Sequence, residues 1–305
     1  MTVLTVILLA AAVIDGEATN RLIRCIETKD QACLIRELQR PGTDHSAEYL
    51  SAASEAYLLL GQNAAAITAI GSALEKKPGD YHLLLQQGRT QQRCGDQLQA
   101  IQSFLVAAKA KPPSSEVFYN LGLSFFLLHE FERAGKHFRH AVELDGNNDK
   151  AEFMLAVIDI MQSSNEASAQ AHLERALALA PENPHYLLHY GVLLAQRNDR
   201  ERAAAVLEKA VKADPSNPLA HFNLGRLRRQ MNDLATARVE LEIALRLRPE
   251  LARAHYQLAS VYRALGETKK SEEALQKFAK FKEQDRDDEP VDGPPSYAFR
   301  EAPVQ

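Results

Sequence analysis

Apolar residues recur three and four positions apart along most of the chain, and each run is broken by turn-forming residues such as Gly61-Gln62-Asn63, Gly95-Asp96 and Asn232-Asp233. That spacing puts the apolar side chains on one face of a helix, so the pattern predicts short helices joined by tight turns. The breaks are themselves periodic. Leu121-Gly122, Tyr190-Gly191 and Leu224-Gly225 each open an apolar stretch, and the underlying interval is 34 residues. A fixed interval of this length marks a repeat architecture built from small supersecondary units. Frames laid from residue 47 give seven blocks, 47–80, 81–114, 115–148, 149–183, 184–217, 218–251 and 252–285. The fourth carries one extra residue, either between Gly146 and Lys150 or between Gln162 and Glu166, which leaves two registers open for its first helix.

Inside the blocks, particular places repeat. The eighth residue is Ser54, Gly88, Gly122, Ala156 or Val157, Gly191, Gly225 and Ala259; the twentieth is Ala66, Ala100, Ala134, Ala169, Ala203, Ala237 and Ser271. Four residues further comes a large apolar side chain, namely Ile70, Phe104, Phe138, Leu173, Leu207, Leu241 and Leu275. Small residues let two helix backbones approach and the large one fills the space between them, so each block reads as a packed helix pair. Pro78, Pro112, Pro181, Pro215 and Pro249 fall just past the second helix, where a residue without a backbone N–H stops it. Gly146 takes that place in the third block and Glu283 in the last.

In these features the chain resembles the tetratricopeptide repeat family over residues 47–285. The resemblance implies an all-α fold, a right-handed superhelical solenoid of about seven antiparallel helix pairs whose first helices line a concave groove. Carried onto this sequence, the groove positions are Arg89, Gln92 and Arg93 in the second block and Tyr119, Asn120, Leu123, Phe126 and Leu127 in the third. They continue with Met154 and Met161, then Leu188, His189 and Val192, and end with Phe222, Asn223, Arg226, Arg229, Arg253, Tyr256, Gln257 and Arg263. An apolar middle between arginines suits a protein or peptide with apolar anchors and acidic flanks, since arginine holds carboxylates through paired hydrogen bonds. The Lys and Asn clamp with which some cytosolic co-chaperones of the family hold a C-terminal carboxylate is not matched.

The two ends differ from the repeats. Thr19–Glu27 and Asp30–Arg40 read as shorter helices within a capping pair at 19–46, which would cover the apolar face of the first block. Cys25 and Cys33 flank their turn symmetrically, within reach of a disulfide, or are two ordinary half-buried cysteines. Residues 1–18 hold an apolar run, Val3 to Ile14, with Ala10-Ala11-Ala12 and Gly16-Glu17-Ala18 as sites of the kind cut on export. No Lys or Arg precedes Leu9, and a buried helix packed on the cap is the alternative. Residues 286–305, rich in Asp and Pro, lack the means to bury a core and are expected to be disordered.

Composition narrows the function. With 46% hydrophobic and 25% charged residues the 305-residue chain has the make-up of a globular protein, and 36 Lys and Arg against 40 Asp and Glu give no basic field for nucleic acid. No apolar run reaches the length of a membrane span. Three cysteines without Cys-x-x-Cys or Cys/His spacing propose no zinc site. His185 and His189 stand four apart on one helix face but lack a third ligand, so they read as solvated groove histidines. His137 and His140 read as facing solvent, and His221 and His255, fourth in their blocks, as packing histidines. No catalytic motif and no cofactor signature is found, and the residues outside the repeats leave no room for a catalytic domain. The reading is a non-enzymatic interaction scaffold, exported in a bacterium-like setting. A cytoplasmic co-chaperone-like adaptor is the alternative, and an enzyme or metal carrier the least favoured one; oligomeric state is open.

Overall fold

A computed structural model of the chain describes residues 17–40, 46–110, 114–162 and 166–282. The apolar start and the acidic tail lie outside these residues, although a cut after Ala18 would fall in the first turn of the first helix. Among the described residues there are sixteen α-helices and no strand. They run as hairpins: α1 (Glu17–Thr28) with α2 (Gln31–Leu38), α3 (Ala47–Leu59) with α4 (Asn63–Lys76), α5 (Tyr81–Arg93) with α6 (Gln97–Ala110), and α7 (Ser115–Leu127) with α8 (Phe131–Leu144). Then follow α9 (Asp149–Met161) with α10 (Glu166–Leu179), α11 (Pro184–Gln196) with α12 (Arg200–Ala213), α13 (Pro218–Gln230) with α14 (Leu234–Leu247), and α15 (Ala252–Ala264) with α16 (Thr268–Phe281). Because α9 starts at Asp149, the first residue of its frame, the extra residue of the fourth block lies in the turn before α10, and Ala156 holds the eighth position.

Local chemistry sets the helix ends. Asp80, Asn183 and Asn217 accept from the free N–H groups of the first turn, with Asn183 Oδ1 3.0 Å from His185 N and Asn217 Oδ1 2.9 Å from Leu219 N. Pro184 and Pro218 occupy the first helical position, where no N–H is needed. At the fifteenth position of the block the backbone turns left-handed, at Gly61, Gly95 and Gly266 but also at His129 (φ 60°), Asn198 and Asn232. The next N–H then reaches back across the helix end, Glu130 N to Phe125 O at 2.9 Å and Asp199 N to Leu194 O at 3.0 Å, which satisfies carbonyls the helix leaves open.

The small eighth residue has a direct steric reason. A Cβ on Gly88 would stand 2.3 Å from the Phe104 ring, and one on Gly191 2.7 Å from Leu207 Cγ, so the helices of a pair meet at van der Waals distance only without it. Phe104, Phe138, Leu173, Leu207 and Leu241 are all fully buried in that gap. Burying each contributes roughly 1.5–3 kcal/mol.

The described chain divides after Gly146 into two units. In the first, α1 and α2 pack Leu22, Ile23, Ile26 and Leu34 against Ala52, Ala53, Ala56 and Ala69, closing the end of the row. Cys25 and Cys33 join the two cap helices as a disulfide, with Cα atoms 5.5 Å apart. Burial would raise the carboxyl of Glu37, but hydrogen bonds from Arg21 and Arg40 outweigh it and hold the group below its usual range. In the second unit, Phe222, Leu241, Leu251, Leu258 and Val261 form the core of the last two blocks, with Leu234 and Leu245 of α14 packed onto it. On α16 the corresponding places are Thr268 and Ala279, a polar and a small side chain, both exposed.

Candidate partner-binding surface

Successive first helices touch one another within each unit, α3 with α5 with α7 in the first and α11 with α13 with α15 in the second. Side chains on the face implied as a groove therefore meet the next first helix, and those contacts decide what remains available.

In the first unit the groove arginines are already engaged. Arg89 of α5 is ion-paired with Glu116 of α7, and Arg93 with Glu55 of α3 at 2.7 Å. Between them Gln92 donates to Asn120 O at 3.0 Å and to Ser124 Oγ at 2.8 Å. Asn120 is buried, its amide donating to Glu116 O at 2.8 Å. Phe126, only 2% exposed, lies edge-on to Phe131 with ring centroids 5.3 Å apart. Tyr119, Leu123 and Leu127 are half-buried, and the Tyr119 ring stands 5.8 Å from Phe138.

In the second unit Met154, Leu188 and Phe222 are buried, as is Asn223, whose amide donates to Leu219 O at 2.8 Å. Asn120, Phe126, Met154, Leu188, Phe222 and Asn223 thus belong to the packing between helices and present almost nothing to a partner. Val192 is buried as well, and Met161 half-buried. Two of the arginines, Arg229 and Arg263, differ from those of the first unit. Arg226 places its guanidinium 5.9 Å over the Phe222 ring, and Arg229 Nε donates to the neutral Gln257 Oε1 at 2.8 Å. Arg253 is half-buried at the start of α15, while Arg263 near its end is exposed. Neither Arg229 nor Arg263 forms an ion pair among the described residues. Tyr256 is 50% exposed, with its ring 5.4 Å from Phe278. This surface carries an exposed aromatic ring and cations on two neighbouring helices.

The histidines fall otherwise than the solvated reading of them. His189 is half-buried edge-on to Phe153, with ring centroids 5.2 Å apart, and burial together with His185 pushes its pKa down to about 4. His185 is also lowered, by burial. His137 is half-buried: it stacks on Phe118 and on Phe125, at 6.0 and 5.1 Å, and burial lowers its pKa. His221 and His255 are buried packing residues. His221 Nδ1 pairs with Glu240 at 2.6 Å and its Nε2 with Pro215 O at 3.1 Å; the Glu240 bond raises its pKa against burial. The same contact between fourth and twenty-third block positions recurs with charges exchanged in the fourth block, where buried Glu152 meets His172 Nδ1 at 2.5 Å and Arg175 at 3.3 Å. Among the described residues no group of three or more His, Cys, Asp or Glu could hold a metal ion, and no helix is long and apolar enough to cross a membrane.

Glu55 and Glu116 are the residues the sequence reading passed over. They occupy the ninth and second places of their blocks, both within the implied groove set, so their positions carried the signal.

Family profiles described as tetratricopeptide repeat match residues 115–148, 161–218, 206–239 and 252–285. With the helix pairs and the close-packed eighth position, these matches make the chain a tetratricopeptide repeat protein. Among solved structures it is similar to a chain of the APC/C hetero-tetramer Cut9–Hcn1, with TM-score 0.64 and 16% identity over 85% of this chain and 51% of that one. The chain spans about half the length of that neighbour. A tetratricopeptide repeat protein from Parabacteroides merdae gives TM-score 0.57 and 18% identity, covering 78% of this chain and 94% of the other. PilF of Pseudomonas aeruginosa gives TM-score 0.59 and 17% identity over 67% and 97%. At these identities the likeness is one of fold. Comparison with curated protein sequences returns no match.

Proposed function

We propose that the chain is a non-enzymatic interaction scaffold that holds an acidic protein or peptide segment with apolar or aromatic anchors on its first helices, chiefly on α13 and α15. The observation that carries this is the exposed Tyr256 on the helix that also bears Arg263 and meets Arg229 through Gln257, the two arginines having no carboxylate partner among the described residues. Arginine forks bind carboxylates in a planar, two-bonded geometry, and an exposed ring supplies burial at little entropic cost. An assembly role accords with the fold's appearance in the Cut9–Hcn1 hetero-tetramer. Arg226 and Arg253 lie on the same two helices, while Tyr119 and Met161, both half-buried, are candidate anchors elsewhere. The Cys25–Cys33 disulfide accords with an oxidising compartment and so with export. Native material should then yield one free thiol, Cys94; three would reject that compartment.

The binding surface is tested by fluorescence anisotropy with a labelled peptide carrying four acidic residues around a central tyrosine. Micromolar binding, about −8 kcal/mol, that weakens steeply with salt is the expected result. Tyr256→Ala should weaken it about tenfold at every salt concentration. Binding that ignores both salt and Tyr256 would place the working surface elsewhere.

A further inference from the structure

The segment that follows α16 has the chemistry of the proposed partner. Residues 218–282 carry 13 Lys and Arg against 7 Asp and Glu, a formal +6, whereas residues 283–305 carry 2 against 7, a formal −5. Asp285, Asp287, Asp288 and Glu289 form a compact acidic run, and Tyr297 and Phe299 lie a short distance beyond it. Acidic flank and aromatic anchors thus occur together on this chain.

The structure roots that segment beside the surface. The Phe281 ring at the end of α16 stacks on His255 with centroids 5.9 Å apart, and Phe278 packs against Tyr256 at 5.4 Å. Helix α16 therefore ends alongside the first turns of α15, near His255 and Tyr256. Five residues of extended chain reach about 18 Å. Along α15, Arg253 and Arg263 are separated by about 15 Å of helix rise. The acidic run from Asp285 to Glu289 is consequently long enough to lie over this helix, and the hydrogen bond from Arg229 to Gln257 keeps α13's cation within the same patch.

We propose that residues 283–305 dock intramolecularly on the α13–α15 surface, pairing Asp285–Glu289 with Arg229 and Arg263 and covering Tyr256, so that a partner must displace the chain's own segment. The proposal rests on the reading of that surface as the partner site. A tethered segment acts at an effective concentration on the order of 1 mM. If the free segment binds at about 0.1 mM, tethering lowers the apparent affinity of any competitor about tenfold.

The test uses full-length protein in two forms, the natural chain and a tail-neutralised one (Asp285→Asn, Asp287→Asn, Asp288→Asn, Glu289→Gln). Two labelled peptides serve as probes at low salt, a synthetic copy of residues 283–305 and an unrelated acidic peptide with a central tyrosine. The expected result is that both bind the tail-neutralised chain about tenfold more tightly than the natural one. The gain should vanish in high salt and in Arg229→Ala, Arg263→Ala protein. If the unrelated peptide binds both forms equally, the docking proposal fails while the partner surface stands. If neither peptide binds either form, the surface itself fails. A difference between the two forms that grows with protein concentration would put the segment on a neighbouring copy and overturn the intrachain assignment.

Discussion

The two units are built on one frame yet leave their groove arginines in different company. In the first, Arg89 and Arg93 face Glu116 and Glu55 on the flanking first helices, so the cations of the groove are neutralised by the protein. In the second, Arg229 donates to the Gln257 amide and has no ion pair among the described residues, and Arg263 is exposed. The charge that the adjacent block presents therefore decides whether a groove arginine is available. The second unit also moves four histidines, His185, His189 and His255 downward by burial and His221 upward through Glu240, while in the first unit burial lowers His137.

The strongest way to break the shared frame is to empty its central position in each unit. Phe104→Ala and Leu207→Ala remove fully buried side chains from equivalent places, and each should cost about 2–5 kcal/mol in urea unfolding. A cost below about 1 kcal/mol at either would mean that the units are not packed alike.

Acid should separate the units next. His189, with its pKa down at about 4, is held neutral when folded, so the unfolded chain takes up its proton first as pH falls below about 6.5. Stability is then lost progressively between pH 6.5 and 4, on the order of 3 kcal/mol from this group, with His185 and His255 adding in the same sense. His221 acts oppositely: its stabilisation is fully present below pH 6.5 and disappears as pH rises through its raised value. Hydrogen exchange at pH 7 and pH 5 should show protection falling mainly in α11 and its neighbours within the second unit. Equal losses in both units would contradict the asymmetry.

The helix pairs were legible in the sequence because steric demands at the eighth, twentieth and twenty-fourth positions leave few residue types, and Gly88 against Phe104 shows how little room there is. The register of the fourth block was not, since Ala156 and Val157 satisfy the pattern equally; only the start of α9 at Asp149 separates them. The candidate surface was legible in part. Arg229, Tyr256 and Arg263 stand where the frame put them, but Phe126, Leu188 and Asn223 are enclosed by neighbouring helices, and the frame carries no information on how closely those approach. Glu55 and Glu116 were visible as groove positions, and weighing charges across adjacent blocks would have paired them with Arg93 and Arg89.

A smaller effect should follow from releasing the first unit's cations. Glu55→Gln with Glu116→Gln, in protein whose second-unit surface is disabled by Arg229→Ala and Arg263→Ala, should restore acidic-peptide binding by about three- to tenfold in titration calorimetry. No recovery would mean that ion pairing is not what silences Arg89 and Arg93. Smaller still, His129 holds a left-handed backbone that Gly61, Gly95 and Gly266 hold without a Cβ penalty. His129→Gly should raise stability by about 0.5–1 kcal/mol, read as a higher urea midpoint with unchanged slope.

The central claim is that available charge selects the working surface. It is tested most directly by the affinity of one acidic, tyrosine-bearing peptide for tail-neutralised protein carrying either Arg229→Ala with Arg263→Ala or Arg89→Ala with Arg93→Ala. The account predicts a loss of at least tenfold, with a flattened salt dependence, in the first pair and less than twofold in the second. Equal losses in both pairs, or a larger loss in the second, would contradict it.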